Sequence, residues 1–478
     1  MEEILLQLVS EPDKAIATIR EQTKDNAKIV EIQKEYKEND RTIRDTQVGN
    51  IQKDKSVGTG EKVKLVKAVR IPIKFAKKIV TTATAFEVGK PVTLIASIEN
   101  NLSKLFHQIW KANRIDSKIA ELVRLKKSET QGAIQFYVAD LKPESILGKI
   151  LVKLGFKAQA KEIKSKILDN TKGIMTPYFD GSGNMILFMW EYKAKDAVSG
   201  KEVNYVEIWD AEKFYYLNNA NGGKIGIVNS PLPHGFDRIP IVYVSQEEPE
   251  WFDVKEMIDR IEVSLSKLGA SNDYSAYPIL QIFGELTGAL DKDETGKSIQ
   301  FPMTKDDDGK WIHGEAKFLE SSQATESVKL ELDSLKAFIY SISHTPDLSF
   351  DNVKGLGNVS GFALKLLFLD AIIKATMNEG ENRTMIERIV NVILSGITKT
   401  TNTTLSTEGQ SLYFDIQFNS IIPDDVQTAS EIIVKLKEAG LLSTQTSIKL
   451  LDMVENPVAE LELIKTEATT EAPTNPTP

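Results

Sequence analysis

The 478-residue chain contains no cysteine. That removes disulfide cross-links, thiolate-held zinc and cysteine nucleophiles, and nothing in the composition points to an oxidising compartment. Its four histidines, His107, His234, His313 and His344, are too scattered for a helical ligand pair. No metal site and no cofactor is therefore expected. Apolar runs stay well short of the roughly 18 residues that a membrane-spanning helix needs. The acidic start, MEEILLQLVSEPDKAIATIR, lacks the basic-then-apolar order of a secretory signal. The expectation is a protein with no membrane contact, assembled in the cytoplasm. An excess of positive charge is missing too. The 59 Lys and Arg against 68 Asp and Glu leave a net charge of -9, which argues against a chain that grips nucleic acid by neutralising many phosphates.

What is present is 41% hydrophobic and 27% charged, the composition of a globular protein able to bury a core. The length suits about two to four folding units. Residues 1–60 mix charges with few aromatics, pass from a helix around Leu5–Tyr36 into the polar DKSVGTGEK, and read as a mobile arm. The stripe Phe75, Ile79 and Ala83 predicts an amphipathic helix within Val69–Phe86, ended by Gly89 and Pro91. A second helix is expected from Ile95 to Arg114 and a third in Pro143–Leu168. TPYFDGSGNMILFMWEYKAK and EVNYVEIWDAEKFYYLN alternate like strands.

Val254, Ile258, Ile261, Leu265 and Leu268 recur at four- and three-residue steps, the seam of a helix packed lengthwise on another. The expected partner spans Gln323–Ser343, with Val328, Leu332, Leu335, Phe338 and Ile342 as its buried stripe. Glu326, Lys329, Asp333, Lys336 and Tyr340 form its wet stripe. Between the two helices, DKDETGKSIQF and TKDDDGKWIHG suggest short strands around acidic turns. A loop, HTPDLSFDNVKGLGNVSG, then leads to a long helix over Phe362–Ile397 with a kink or break at Gly380. The strand SLYFDIQF and a helical pair, Val426–Ala439 and Ser443–Val454, follow. The Thr- and Pro-rich tail is expected to be disordered.

Several motifs fail on inspection. DKDETGKS lacks the first glycine of a phosphate-binding loop and runs into a strand-like IQF. As a calcium loop it ends on Pro302, which offers no closing carboxylate. GLGNVSG has one residue too many for a dinucleotide fingerprint and follows a helix. EAGLLSTQTSIKLL has only Lys449 as a basic residue to offer to DNA, which favours a packing role. A hydrolase with dispersed catalytic residues stays open, as does a helical scaffold or adaptor protein that forms no ring.

Four segments, in order, resemble the portal (head-to-tail connector) proteins of tailed double-stranded DNA bacteriophages. RIPIKFAKKIVTTATAFEVGKPV, Arg70–Val92, is similar to that family's N-F-A-K-x-I-V and F-G-K-P helix and turn. DRIPIVYVSQEEPEWFDVKEMIDRIEVSLSKLGASNDYSAYPIL, Asp237–Leu280, resembles its strand and first stem helix. HTPDLSFDNVKGLGNVSGFALKLLF and IIPDDVQTASEIIVKLKEAGLLSTQTSIKLL complete the series.

The resemblance implies an α+β, mainly helical portal fold with wing, stem, clip and crown regions, assembled as a ring that is usually dodecameric. The plan would be an N-terminal arm at 1–60, a wing at 61–249, stem helices at 250–272 and 320–344, and a clip at 273–319. A tunnel loop at 345–361, a long kinked helix and wing strand at 362–424, a crown at 425–465 and a disordered tail at 466–478 would follow. The implied function is a non-enzymatic channel at one capsid vertex of the virion, for DNA packaging and ejection and for head-tail joining. Implied partners are double-stranded DNA read without regard to sequence, the terminase (packaging ATPase) on the clip, the major capsid and scaffolding proteins, and a head-completion or adaptor protein. An acidic wall would let DNA slide. The implied DNA-channel residues are Glu326, Lys329, Asp333 and Lys336 on the stem face and Asp347, Ser349, Asp351, Asn352, Val353 and Lys354 in the tunnel loop. A solvated helix face and an ordinary surface loop are their plain alternatives.

Overall fold

A computed structural model of the chain describes residues 2–23, 26–37, 41–47, 51–57, 63–140, 161–196, 200–220, 223–228, 231–275, 280–283, 304–305, 307–312, 315–318, 325–347, 366–401, 405, 412–422, 426–451 and 457–470. Three helices come first: α1 (Glu2–Ser10), α2 (Pro12–Arg20) and α3 (Asn26–Tyr36). Pro12 opens α2, a position where its missing N–H leaves no helical bond unmade. A small ladder of β1 (Lys55–Val57) and β2 (Lys64–Val66) precedes α4 (Phe75–Val88), which stops at Gly89. Then come β3 (Thr93–Ala96), α5 (Asn101–Ala112) and α6 (Ile115–Glu129). Asn100 caps α5 reciprocally with Ser103, at 2.9 and 3.0 Å.

Strands follow: β4 (Gln131–Asp140), β5 (Lys161–Leu168), β6 (Ile174–Phe179), β7 (Met185–Lys195), β8 (Glu202–Trp209), β9 (Lys213–Asn218), β10 (Gly226–Ile227), β11 (Leu232–Pro233) and β12 (Ile241–Ser245). They make a six-stranded sheet in the order β10-β9-β8-β7-β6, with β11 also on β9, and a three-stranded sheet in the order β12-β4-β5. Side-chain alternation buries both faces of both sheets. In β7, Leu187 and Met189 face α1 and α2, while Phe188 and Trp190 face the smaller sheet. In β4, Ala133 meets the larger sheet, while Ile134 and Phe136 enter the helical core.

The second half begins with α7 (Lys255–Ser275) and continues through β13 (Leu280–Phe283), β14 (Thr304–Lys305), β15 (Trp311–Ile312) and β16 (Glu315–Phe318) to α8 (Thr325–Ile342). Next are α9 (Leu369–Gly396), β17 (Phe414–Gln417), α10 (Val426–Glu438), α11 (Thr444–Leu451) and α12 (Pro457–Thr470). Met385, Ile386, Ile389 and Ile393 of α9 complete the core made by α5, α6 and β4, and β17 pairs with β3. The fold is mixed α+β with helices predominant.

Several expectations are corrected. The N-terminal residues are not a loose arm in their described parts: Leu8, Ala15, Ile16 and Ile19 are buried on the larger sheet. Arg20 clasps Glu191 through bonds of 2.9 and 2.6 Å. Residues 95–96, expected to open a helix, instead belong with Thr93 and Leu94 to β3, because the β-branched and aliphatic TLIA finds a partner in Phe414–Gln417. Helix α6 lies where no element was expected; Arg114, left-handed at φ 52°, separates it from α5. Residues 161–168, expected to be helical, pair with β4, while 143–160 lie outside the described residues. Gly380 does not break α9, which is continuous around it. The helix α12 extends through Thr470, past the point where disorder was expected; 471–478 lie outside the described residues. The turn DKDETGKS and the loop GLGNVSG also lie outside them.

The docking of α2 makes a first prediction. Ile16→Ala, at a fully buried position, should cost about 3 kcal/mol in chemical denaturation and speed tryptic cleavage at Lys14 and Arg20. A freely moving arm would give neither effect.

Candidate functional site

The seam read from sequence builds a helical hairpin. β13, just after α7, pairs antiparallel with β16, just before α8, so the two helices return on each other. Val254, Ile258 and Ile261 are buried with Ile339, and Leu265, Leu332 and Leu335 pack at their edge. Arg260 Nε donates to Glu331 Oε1 at 2.6 Å and ties the two helices on their open side. The register of α8 differs from expectation at one end. Ile339 carries the seam onward, and this turns Phe338 out to solvent with Ile342. Tyr340, expected on the wet stripe, packs edge-on against Phe75 at 5.7 Å and its hydroxyl accepts from Lys78 at 2.8 Å.

The four charges expected on the stem face behave less uniformly than their spacing. Glu326, Lys329 and Asp333 are exposed. Lys336 is half-exposed and pairs with Asp347 at 3.1 Å, which raises the lysine's pKa. The structure thus joins one residue of each expected group, across the end of α8. Ser349, Asp351, Asn352, Val353 and Lys354 lie outside the described residues. Among the described residues no group of three His, Cys, Asp or Glu side chains converges as a metal ion would require. A cleft of about 360 Å³ runs between Ile43, Ile51 and the Glu256–Lys267 side of α7, with Arg260, the partner of Glu331, in its lining.

Two buried charge clusters anchor the hairpin, and no local sequence signal marked either. In the first, Arg41 is buried on α7. Its Nε donates to Glu262 Oε1 at 2.7 Å, Nη1 to the Glu35 carbonyl at 2.8 Å and Nη2 to Asp259 at 3.3 Å. The Ile73 amide donates to the same Glu262 oxygen at 2.6 Å. Burial pushes the Glu262 carboxyl above the usual range, against the pull of Arg41.

In the second cluster, Lys127 lies 2.8 Å from Glu87 and 3.1 Å from Glu250, and Lys374 lies 2.7 Å from Glu250. Burial works to raise the Glu250 pKa, but Lys127 and Lys374 outweigh it and the carboxyl titrates below its ordinary value. A depressed carboxyl stabilises the fold above its unfolded pKa and loses that contribution as pH falls through the folded value. Glu250→Gln should therefore cost about 1.5–3 kcal/mol at neutral pH. The difference from wild type should shrink as denaturation is repeated at increasingly acid pH. A difference independent of pH would count against an ionised Glu250.

Residues 17–474 match the family described as Phage portal protein, SPP1 Gp6-like. The portal protein of Clostridium phage phiCD119 is 25% identical over 240 residues, 47% of this chain and 51% of that protein. The chain thus spans about half the length of the curated relative it matches. The solved structure "Neck of empty GTA particle computed with C6 symmetry" overlays at a TM-score of 0.41 and 12% identity, over 80% of this chain and 90% of that one. "Neck of native GTA particle computed with C12 symmetry" gives 0.41 and 12%, over 80% and 92%.

Proposed function

Because the chain belongs to the phage portal protein family of SPP1 Gp6-like type, we propose that it is the subunit of a ring, a dodecamer in the family plan, through which double-stranded DNA is packaged and ejected at one capsid vertex. The observation that carries this reading is the family match over residues 17–474. The hairpin of α7 and α8 supports it, with one flank packed on α3 and α4 and the other carrying solvated charge.

In this reading α8 faces the channel with Glu326, Lys329, Asp333 and Lys336, two charges of each sign. Such a wall neither grips phosphates nor excludes them, as sliding requires. Asp347, Ser349, Asp351, Asn352, Val353 and Lys354 supply the loop that meets DNA, with Asp347 held at its base by Lys336. The clip, 273–319, receives the terminase. The capsid, scaffolding and head-completion proteins meet the outer surfaces, and the ring itself has no catalytic role.

Size-exclusion chromatography with negative-stain imaging tests the assembly. Closed rings with a central hole are expected. Particles that stay single under all assembly conditions would overturn the reading and favour a hydrolase or a non-ring scaffold. Lys354→Glu, or deletion of Gly355–Gly357, should leave rings intact and abolish retention of packaged DNA; unchanged packaging would remove the loop assignment alone.

A further inference from the structure

Along α9, Lys374, Asn378 and Asn382 recur every fourth residue and meet two carboxylates whose side chains are buried, those of Glu87 and Glu250. Asn378 Nδ2 donates to Glu87 Oε1 at 2.6 Å, and Asn382 Nδ2 donates to Glu87 Oε2 at 2.9 Å. Lys374 pairs with Glu250 at 2.7 Å, and Lys127 joins Glu250 to Glu87. The contacts close into a ring that begins and ends on α9.

The apolar side of the same helix specifies its axial position only in part. Met385, Ile389, Ile393 and Ile397 are spaced by four, as are Ile386 and Val390, so a slide that brings each later residue of these rows into its predecessor's place exchanges one aliphatic side chain for another, whereas the opposite slide brings Glu381, Asn382 and Arg388 into the places of Met385, Ile386 and Val392. The polar side is not self-similar. Read in fours it runs Asp370, Lys374, Asn378, Asn382, Ile386. A slide in one direction sets Asp370 against Glu250, carboxylate against carboxylate. A slide in the other sets Asn378 there and Ile386 against Glu87, leaving both carboxylates short of partners in a buried place. Buried polar groups are best attested as devices that fix register for this reason.

We propose that the order Asp370-Lys374-Asn378-Asn382 is a register lock, which admits one axial position of α9 against α4 and α6. Lys374 Nζ also donates to the Ser343 carbonyl at 3.1 Å, so the same lock sets the start of α9 relative to the end of α8. These are the two flanks of residues 345–361, and the lock therefore fixes their separation whether or not the chain forms a ring. Gly396 is a second constraint of a softer kind. A Cβ there would lie 2.7 Å from the tips of Ile163 and Phe236, which are able to yield.

The absence of cysteine makes a clean test. Spin labels on Ser117→Cys paired with Met377→Cys, and on Ser117→Cys paired with Glu387→Cys, report the position of α9 along α6 in full-length chain diluted with unlabelled chain. The variant Asp370→Lys, Lys374→Asn, Asn382→Ile moves the Lys-Asn-Asn-Ile part of the order one turn toward the N-terminus. At least one of the two distances should then shift by about 3–5 Å, given a rise of about 5.4 Å per turn. A second variant replaces the ring by apolar groups: Glu87→Leu, Lys127→Met, Glu250→Leu, Lys374→Met, Asn378→Leu, Asn382→Leu. It should give a broadened or doubled distribution, and it decides the matter if the first variant does not fold. Unchanged, narrow wild-type distances in a folded variant would overturn the lock and assign the register to Gly396 and the apolar face.

Discussion

Arg41→Met should destabilise the protein by about 3–5 kcal/mol, the cost of leaving a buried carboxylate without its partner. Methionine keeps most of the volume, so the loss is electrostatic. Glu262 has no exposed surface, and its Oε2 already lacks a hydrogen-bond partner. Arg41→Met with Glu262→Gln should recover much of the loss, because the amide keeps an acceptor for the Ile73 amide without carrying charge. The single variant should also show a distinctive pH dependence. A carboxyl whose folded pKa is raised contributes stability that is fully present below its unfolded value and is lost as pH rises through the folded value. Burial already raises Glu262, and removing Arg41 raises it further. The deficit of Arg41→Met should therefore grow from acid toward neutral pH and be smallest where Glu262 takes up a proton. A denaturation midpoint equivalent to less than about 0.5 kcal/mol of change would place the cluster among inconsequential surface pairs.

How much of this was legible in the sequence depended on distance along the chain. The hairpin was readable because Val254, Ile258, Ile261 and Leu265 repeat at steps of three and four, a local pattern that survives folding unchanged. Its phase on α8 was less so, since Phe338 and Ile339 are adjacent apolar residues and only the position of α7 decides which is buried. Residues 161–168 read as helix because Ile163 and Ile167 stand four apart and nothing before them signals a turn; their strand identity comes from pairing with β4. The docking of α1 and α2 has its partners in β7, β8 and β9, far along the chain, so apolar spacing could mark a helix but not a covered sheet. The charge ring is the extreme case. Glu87, Lys127, Glu250 and Lys374 each look like solvated charge in their own neighbourhood, and only the spacing of Lys374, Asn378 and Asn382 along one helix could have drawn attention to it. Of the expected channel residues, the pairing of Lys336 with Asp347 joined two groups that the sequence had kept apart.

Phe338→Asp should convert rings into single chains. Phe338 and Ile342 leave 56% and 41% of their surface exposed on α8, four residues apart so that they share one side of the helix. Such a line on a helix whose seam is already satisfied needs another surface to cover it, and in the proposed ring the neighbouring copy does so. Burying a phenylalanine side chain is worth about 1.5–3 kcal/mol. A carboxylate in its place removes that and adds its own desolvation, so each contact weakens by at least about tenfold to a hundredfold. A closed ring uses every contact at once, so the loss compounds around the circle. Ile258→Ala, which damages the seam inside the subunit, serves as the contrast: it should lower the denaturation midpoint, whereas Phe338→Asp should leave that midpoint near wild type and change only the sedimentation profile. Rings that persist with Phe338→Asp at wild-type concentrations would mean that this side of α8 faces something other than the neighbouring copy.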